Sequence, residues 1–229
     1  DSITGQWDYV EPALFGFAAG KVIESYTSFY HEHHNIIAQF HEWMTGTGIL
    51  YLQKWCPWIA TSFTTHATVL GRCIAGNNRP LYGKMKEYNP IQVARESNVV
   101  AKQSLEKITA SVADVFTTVS GITSKECSHF LGKDVDIVTP NGFEDSFVPE
   151  SDQFDAKRGT ARLKLRQVAE AVLGYKLPDD CIYIANSGRY EFRNKGVDVF
   201  IDSMGELNRK DKLNKQCVAF ILMPAYHKG

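Results

Sequence analysis

The chain has 229 residues, of which 44% are hydrophobic and 22% charged, values typical of a globular protein with one large or two small domains. Its formal net charge of −1 argues against charge-driven binding of nucleic acid or of an anionic membrane. No apolar run approaches the roughly 18 residues of a membrane span, and the first residues lack the pattern of a signal peptide. The five cysteines are odd in number and widely spaced, so we expect reduced, buried thiols and a cytoplasmic location.

Short apolar runs alternate with longer helical stretches, which predicts βαβ units and an α/β fold with parallel sheets. The strands are nearly continuous apolar runs, as expected where both faces of a sheet are covered. We predict strands over residues 36–40, 58–63, 114–119, 135–139, 181–185 and 217–223. Helical composition marks residues 44–54, 89–113, 121–131, 155–173 and 195–208.

One stretch has the composition of a domain boundary. Pro140-Asn141-Gly142 is a strong turn signal at the end of a predicted strand, and the residues that follow are acidic and polar and include Pro149. We therefore predict one domain over residues 1–140, a crossing over 141–154, and a second domain over 155–229.

Ligands of parallel α/β proteins bind at the carboxyl ends of the strands, so the loops there are the first candidates for a site. Residues 64–72 carry two hydroxyls, His66 and Arg72 directly after a predicted strand, a set that could bind a sugar and a phosphate. An equally open interpretation is a helix N-cap at Thr64 or Thr65 beside a histidine with an ordinary structural role.

His41-Glu42-Trp43 follows the first predicted strand and could form a wall that faces a sugar. The alternative is a helix start with an acidic residue near its positive end and a tryptophan in the core.

The loop after the strand at 181–185 combines Gly188 with two cations, Arg189 and Lys195. Gly188 permits a tight turn, Arg189 can bind a phosphate with two hydrogen bonds, and Lys195 can act as a point charge at the start of the next predicted helix. A solvated charged loop remains the alternative.

Two other candidates are weaker. His31-Glu32-His33-His34 lacks the HExxH spacing of a zinc protease, so we predict no metal site there. Cys127 and His129 would point apart on a helix, so a thiol nucleophile is not supported.

Several strings share the order and spacing of one family. Together they resemble the eukaryotic-type glycogen synthases, from about Ala13 to Ala225. The strings are Phe40-His41-Glu42-Trp43, the run from Phe63 to Arg72, Val115-Phe116-Thr117-Thr118-Val119-Ser120, Asp136-Ile137-Val138-Thr139-Pro140-Asn141-Gly142, and Gly188-Arg189-Tyr190-Glu191-Phe192 with Asn194-Lys195-Gly196.

The resemblance implies a GT-B fold, in which two Rossmann-like domains face each other across a cleft. It also implies that both domains are incomplete in this sequence, which has no counterpart of the family's glycine-rich first loop, paired glutamates or arginine-rich regulatory helix. The implied reaction moves glucose from UDP-glucose onto an α-1,4-glucan with retention of configuration. We expect this chain by itself to be inactive.

The resemblance also implies roles for individual residues. His66 matches a histidine beside the transferred glucose, and Glu42 and Arg72 match polar residues of the cleft wall. Arg189 and Lys195 match a basic pair on the donor diphosphate, in a family that uses neither metal nor cofactor. We add Asn141, at the interdomain crossing, and Gly188 to the predicted substrate-binding residues.

The expected partners are a nucleotide sugar and glycogen, with a homo-oligomer for the full-length protein and no nucleic acid or membrane. The donor base, UDP or ADP, stays open. A non-catalytic nucleotide-sugar or glucan-binding module is the main alternative. A nicotinamide-dependent oxidoreductase is disfavoured because GxGxxG is missing, and the strings argue against a sucrose- or trehalose-type synthase.

Overall fold

The fold is given by a computed structural model that describes residues 6–30, 34–210 and 213–224. The chain divides into two compact units, with the boundary in the sequence between Gly142 and Phe143, and each unit is described by itself below. The roles that the sequence analysis assigns to the two domains stay a prediction.

A parallel sheet of four strands forms the centre of the first unit, in the order β1-β2-β3-β4. The predicted α/β fold with parallel sheets is therefore confirmed. The strands are β1 (Ile37–His41), β2 (Ala60–Thr65), β3 (Val115–Thr118) and β4 (Ile137–Val138). Strand β2 begins at Ala60 rather than at Trp58, because Cys56 to Ile59 form a turn that is closed by the Ile59 N–H on the Cys56 carbonyl.

Helices surround this sheet, and those predicted from composition are confirmed with shifted ends. The helical stretch 89–113 is two helices, interrupted where Asn98 adopts a positive φ of 53°. The helices of the first unit are α1 (Trp7–Tyr30), α2 (Gly46–Trp55), α3 (Val69–Gly76), α4 (Leu81–Lys84), α5 (Pro90–Glu96), α6 (Val100–Val112) and α7 (Gly121–Glu126). A 3₁₀ turn at Trp43–Thr45 precedes α2, a second at Met85–Glu87 follows α4, and a π-helical turn at Cys127–Leu131 continues α7.

Two apolar clusters hold the edge of the sheet in place. Phe40, Phe63 and Phe116 come from neighbouring strands at paired positions and pack with Leu52 of α2. A second cluster, which includes Leu70 and Ile74 of α3 together with Val93 and Phe130, fixes helix α3. The loops that precede α2 and α3 are therefore anchored at both ends.

Within residues 143–210 and 213–224, the second unit has two parallel strands and two α-helices. These are α8 (Ser151–Leu173), β5 (Ile182–Ser187), α9 (Val197–Lys210) and β6 (Cys217–Leu222), preceded by a 3₁₀ turn at Asp145–Phe147. Helix α8 begins at Ser151, earlier than the predicted Asp155. Among the described residues, no helix is both long and apolar enough to cross a membrane.

Candidate functional site

The candidate site of the first unit lies where β1 and β2 end. These strands are parallel and paired so that His41 lies opposite Thr64, which places Glu42 and His66 at the same edge of the sheet. Helix α3 begins directly after this edge and carries Arg72 in its first turn. The structure thus brings together three residues that the sequence analysis predicted separately.

One carboxylate oxygen connects these residues. Glu42 Oε1 accepts a hydrogen bond from the backbone N–H of His66 at 3.2 Å and from Nη2 of Arg72 at 3.1 Å. The Glu42 side chain is only 13% exposed, whereas that of Arg72 is 55% exposed. Arg72 therefore presents its cation to solvent from an anchored position.

His41 also belongs to this group; the sequence places it in the candidate wall His41-Glu42-Trp43 but predicts no separate role for it. Its Nδ1 lies 3.1 Å from Nε2 of His66, and the two rings are tilted by 34°. The sequence signal was its place beside Glu42, but only the register of the strands shows that it reaches His66.

The backbone of Glu42 is strained. Its φ of 61° and ψ of 162° place it in a region that residues other than glycine rarely adopt. The conformation is held by the Glu42 N–H, which donates to the Thr64 carbonyl at 2.9 Å, and by the Thr45 hydroxyl, which donates to the carbonyl of His41 at 2.8 Å. Such strain costs about 1–3 kcal/mol and is typical of functional sites.

The segment between β2 and α3 is shorter than predicted. Thr64 and Thr65 are not N-caps but buried residues of β2. The N-cap of α3 is Thr68, whose hydroxyl accepts from the Gly71 N–H at 3.0 Å. Arg72 therefore lies in a helix rather than in a loop, which fixes its direction more firmly.

A buried carboxylate supports that N-cap. Glu126 accepts from the Thr68 hydroxyl at 2.8 Å and from the Tyr82 hydroxyl at 2.9 Å. Burial and the hydrogen bond to Glu126 raise the pKa of Tyr82 to about 12. Gly71 leaves room for this contact, because a Cβ there would lie 2.2 Å from Oε2 of Glu126.

A second buried carboxyl, Glu106 of α6, lies behind the same turn. Its Oε2 accepts from the Val69 N–H at 3.0 Å, and its Oε1 lies 3.5 Å from the Thr65 hydroxyl. Burial raises the pKa of Glu106 to about 8. Glu106 and Glu126 carry no sequence signal of a site, because isolated glutamates in helical stretches are usually exposed.

Cys127 lies in the same region and is fully buried. Burial raises the pKa of its thiol to about 12, because the thiolate would lose its hydration and would face nearby glutamates. A neutral thiol is a poor nucleophile, which agrees with the sequence interpretation.

The predicted diphosphate residues lie in the second unit, in the loop between β5 and α9. Arg189 is 71% exposed and pairs with Glu191 at 3.1 Å. A Cβ on Gly188 would meet the Lys195 side chain at 3.5 Å, so Gly188 and Lys195 are in contact range. Gly188, Arg189 and Lys195 therefore belong to one exposed loop.

The start of α9 differs from the prediction. Lys195 does not open the helix, which begins at Val197 after Gly196 at a φ of 64°. The N–H groups of Val197 and Asp198 both donate to the Phe192 carbonyl. The helix N-terminus thus offers fewer free donors than the predicted anion site assumed.

Asn141 is exposed after β4 and takes no part in the hydrogen bonds that join Glu42, His66 and Arg72. His31-Glu32-His33 lies outside the described residues, within which no group of three or more metal-binding side chains occurs.

Comparison with known proteins identifies the family. A family model described as glycogen synthase matches residues 7–228. The chain is 36% identical over 197 residues to the liver glycogen [starch] synthase of Rattus norvegicus, an alignment that covers 83% of this chain and 28% of that protein. It is 33% identical over 228 residues to the glycogen [starch] synthase of Dictyostelium discoideum, covering 94% of this chain and 25% of that protein.

The fold has a counterpart among solved structures. The catalytic domain of starch synthase IV from Arabidopsis thaliana, bound to ADP and acarbose, superposes with a TM-score of 0.53 at 17% identity. The match covers 96% of this chain and 48% of that one, and it supports a piece of a GT-B fold. The chain spans 28% or less of the length of the two relatives above. On these matches, the chain belongs to the glycogen synthase family.

Proposed function

We propose that this chain is part of a glycogen synthase, a retaining hexosyltransferase that moves glucose from UDP-glucose to the non-reducing end of an α-1,4-glucan. The chain belongs to this family, and one contact in the structure carries the proposal further. The carboxylate of Glu42 accepts hydrogen bonds from both His66 and Arg72 and so fixes them at the carboxyl edge of the parallel sheet. Ligands of such sheets bind at this edge.

The residues of the first unit have distinct proposed roles. His66 would contact the glucose that is transferred, with its ring oriented by His41. Arg72 can donate several hydrogen bonds to sugar hydroxyls or to a phosphate, and Glu42 holds it toward solvent.

The residues of the second unit would act on the leaving group. Negative charge builds up on the diphosphate as the sugar bond breaks, and Arg189 and Lys195 would stabilise that charge. Arg189 is paired with Glu191, so the donor would take the place of this acidic partner. Gly188 would let the diphosphate approach the backbone, and Asn141 would bind substrate from the crossing.

We further propose a cytoplasmic homo-oligomer that binds a nucleotide sugar and an α-glucan, without a metal or other cofactor. The Arabidopsis starch synthase is bound to ADP and acarbose, and the family resemblance points to the same two classes of ligand here.

The test is the incorporation of labelled glucose from UDP-glucose into glycogen, with the full-length protein and this chain assayed side by side. We expect transfer by the full-length protein only. Parallel assays with ADP-glucose determine the donor base. Binding of UDP-glucose without transfer by the full-length protein would instead favour the non-catalytic binding module.

A further inference from the structure

Glu106 contacts both ends of the segment that carries His66. Its side chain has no exposed surface. One oxygen accepts from the N–H of Val69, the first residue of α3, and the other lies near the hydroxyl of Thr65, the last residue of β2. The four-residue step from Thr65 to Val69 is therefore closed from behind by a single side chain from α6.

The surroundings of Glu106 favour its neutral form. In the described part of the chain, Glu106 has a backbone N–H and a hydroxyl as hydrogen-bond partners. It forms no ion pair with a cationic side chain there. Arg72 is already paired with Glu42, and Lys102 with Asp8. A buried carboxylate without a cation is strongly unfavourable, so the group retains its proton.

The hydrogen bonds fit a carboxylic acid. Oε2 accepts from Val69 at 3.0 Å, which leaves the proton for Oε1. The Thr65 hydroxyl lies 3.5 Å from Oε1, to which it would donate if Glu106 were ionised, and its oxygen can instead accept the proton of the neutral acid. The neutral acid can thus make both contacts. Burial favours the same neutral form, because it raises the pKa of Glu106 to about 8.

Glu106 interacts electrostatically with several titratable side chains. These are Glu42 and Arg72 at the site, Cys73 on α3 and Cys127 after α7. Burial raises the pKa of both thiols, so they stay neutral where Glu106 ionises. On its own helix Lys107 is exposed. Ionisation of Glu106 would therefore place a new buried charge close to Glu42.

We propose that Glu106 is a positioning residue of the candidate site: as a neutral carboxylic acid it holds the segment from Thr65 to Val69, and through it His66 and Arg72, in the geometry that transfer requires. This inference rests on the proposed function. It adds to that function a residue that touches no substrate.

The experiment compares Glu106→Gln and Glu106→Ala in the full-length protein. The matched controls are Glu87→Gln and Glu87→Ala, the same changes at a side chain that is 66% exposed. Two quantities are measured. The first is backbone hydrogen exchange of residues 64–72 by mass spectrometry at neutral pH, and the second is kcat and KM from about pH 6 to about pH 9.

The two substitutions have different expected outcomes. Glutamine reproduces the neutral acid, because its oxygen can accept from Val69 while its NH₂ group donates to Thr65. E106Q therefore protects residues 64–72 as the wild type does and retains most of kcat. E106A exposes the segment to exchange, and kcat falls by about 10²-fold, the typical effect of a misplacement of 1 Å. Wild-type kcat also falls as Glu106 ionises near pH 8, and the E106Q profile lacks this step.

Two results would overturn the proposal. One is an E106A variant whose exchange and kcat equal those of E87A. The other is an E106Q variant with the same alkaline fall in kcat as the wild type, which decides the matter even if E106A does not fold. If the wild type transfers no glucose at any pH, the proposed function fails, and hydrogen exchange in E106A and E106Q still decides the role of Glu106.

Discussion

Nδ1 of His41 lies 3.1 Å from Nε2 of His66, so one imidazole must donate the proton that the other accepts. The pair can be neutral or carry one positive charge, but two charged rings would bring two N–H groups face to face. The tautomer of His66 therefore depends on His41. The proton of His66, the residue proposed to contact the transferred glucose, is thus placed by a neighbour from the adjacent strand.

Replacing His41 with phenylalanine keeps a ring at this position but removes its nitrogens. A neutral hydrogen bond contributes about 1 kcal/mol, so we expect kcat to fall by about fivefold. His34→Phe is the control, since His34 is an exposed histidine just before β1. Equal kcat in both variants would show that the pair has no role in transfer.

The strain at Glu42 can be isolated by comparing Glu42→Gly with Glu42→Ala. Both variants lose the contacts to His66 and Arg72, but only alanine keeps the cost of a positive φ. We expect E42G to be more stable than E42A by about 1–2 kcal/mol, measured by urea unfolding. Both variants should lose glucosyl transfer. Equal stability of the two variants would mean that the backbone relaxes and stores no strain.

Gly71→Ala tests the close approach of α3 to Glu126. The new Cβ would overlap Oε2 of Glu126, and overpacking of this kind costs about 1–3 kcal/mol. Gly76→Ala is the control on the same helix, where a Cβ meets no atom within 4 Å and should stabilise by about 0.4–1 kcal/mol. Thermal unfolding of both variants measures the difference, and shifts of the same sign would contradict the geometry.

The buried acid Glu106 predicts a pH dependence of stability. Burial raises its pKa from 4.5 to about 8, so between these values the folded protein keeps a proton that the unfolded chain releases. The free energy of unfolding should therefore fall as the pH rises from about 4.5 to about 8, and this contribution levels off above pH 8. Glu106→Gln cannot ionise and should not show this decrease. The difference in free energy of unfolding between Glu106→Gln and the wild type, measured by urea denaturation, should therefore increase with pH. Glu87→Gln should show no such trend.

Arg189→Ala tests the proposed contact with the leaving group. Loss of one charge-assisted contact that strengthens in the transition state costs about 2.7–4 kcal/mol, which is 10²–10³ in kcat. Stability should change little, because Arg189 is exposed and its pair with Glu191 is a surface ion pair. Arg193→Ala in the same loop serves as the control. Unchanged kcat in R189A would remove Arg189 from the mechanism.

The strands were predictable from the sequence because each contains the β-branched or aromatic residues that favour strands. Helix α1 was not predicted. Its large apolar side chains are distributed around the helix rather than along one face, and it contains Pro12. Its packing on α2, for which Gly16 and Gly20 leave room, is a tertiary effect without a local pattern.

The candidate site was predictable only in part. Glu42, His66 and Arg72 follow strand ends, and that position signals a site. The contacts of His41, Glu106 and Glu126 depend on strand register and on helices far away in the sequence. The N-cap of α3 shows this limit. Residues 64–68 contain three threonines that could each cap a helix. The one that does so, Thr68, is hydrogen-bonded to Glu126, which is distant in the sequence.

The fit of Gly71 against Glu126 links two positions that are far apart in the chain. A related protein with any side chain at position 71 would need a shorter residue, such as aspartate, at position 126, or else a different cap at position 68. The residues at 71 and 126 should therefore change together as sequences diverge. Engineering that grafts α3 from one homologue into another has to transfer both positions, or the turn that carries His66 will shift.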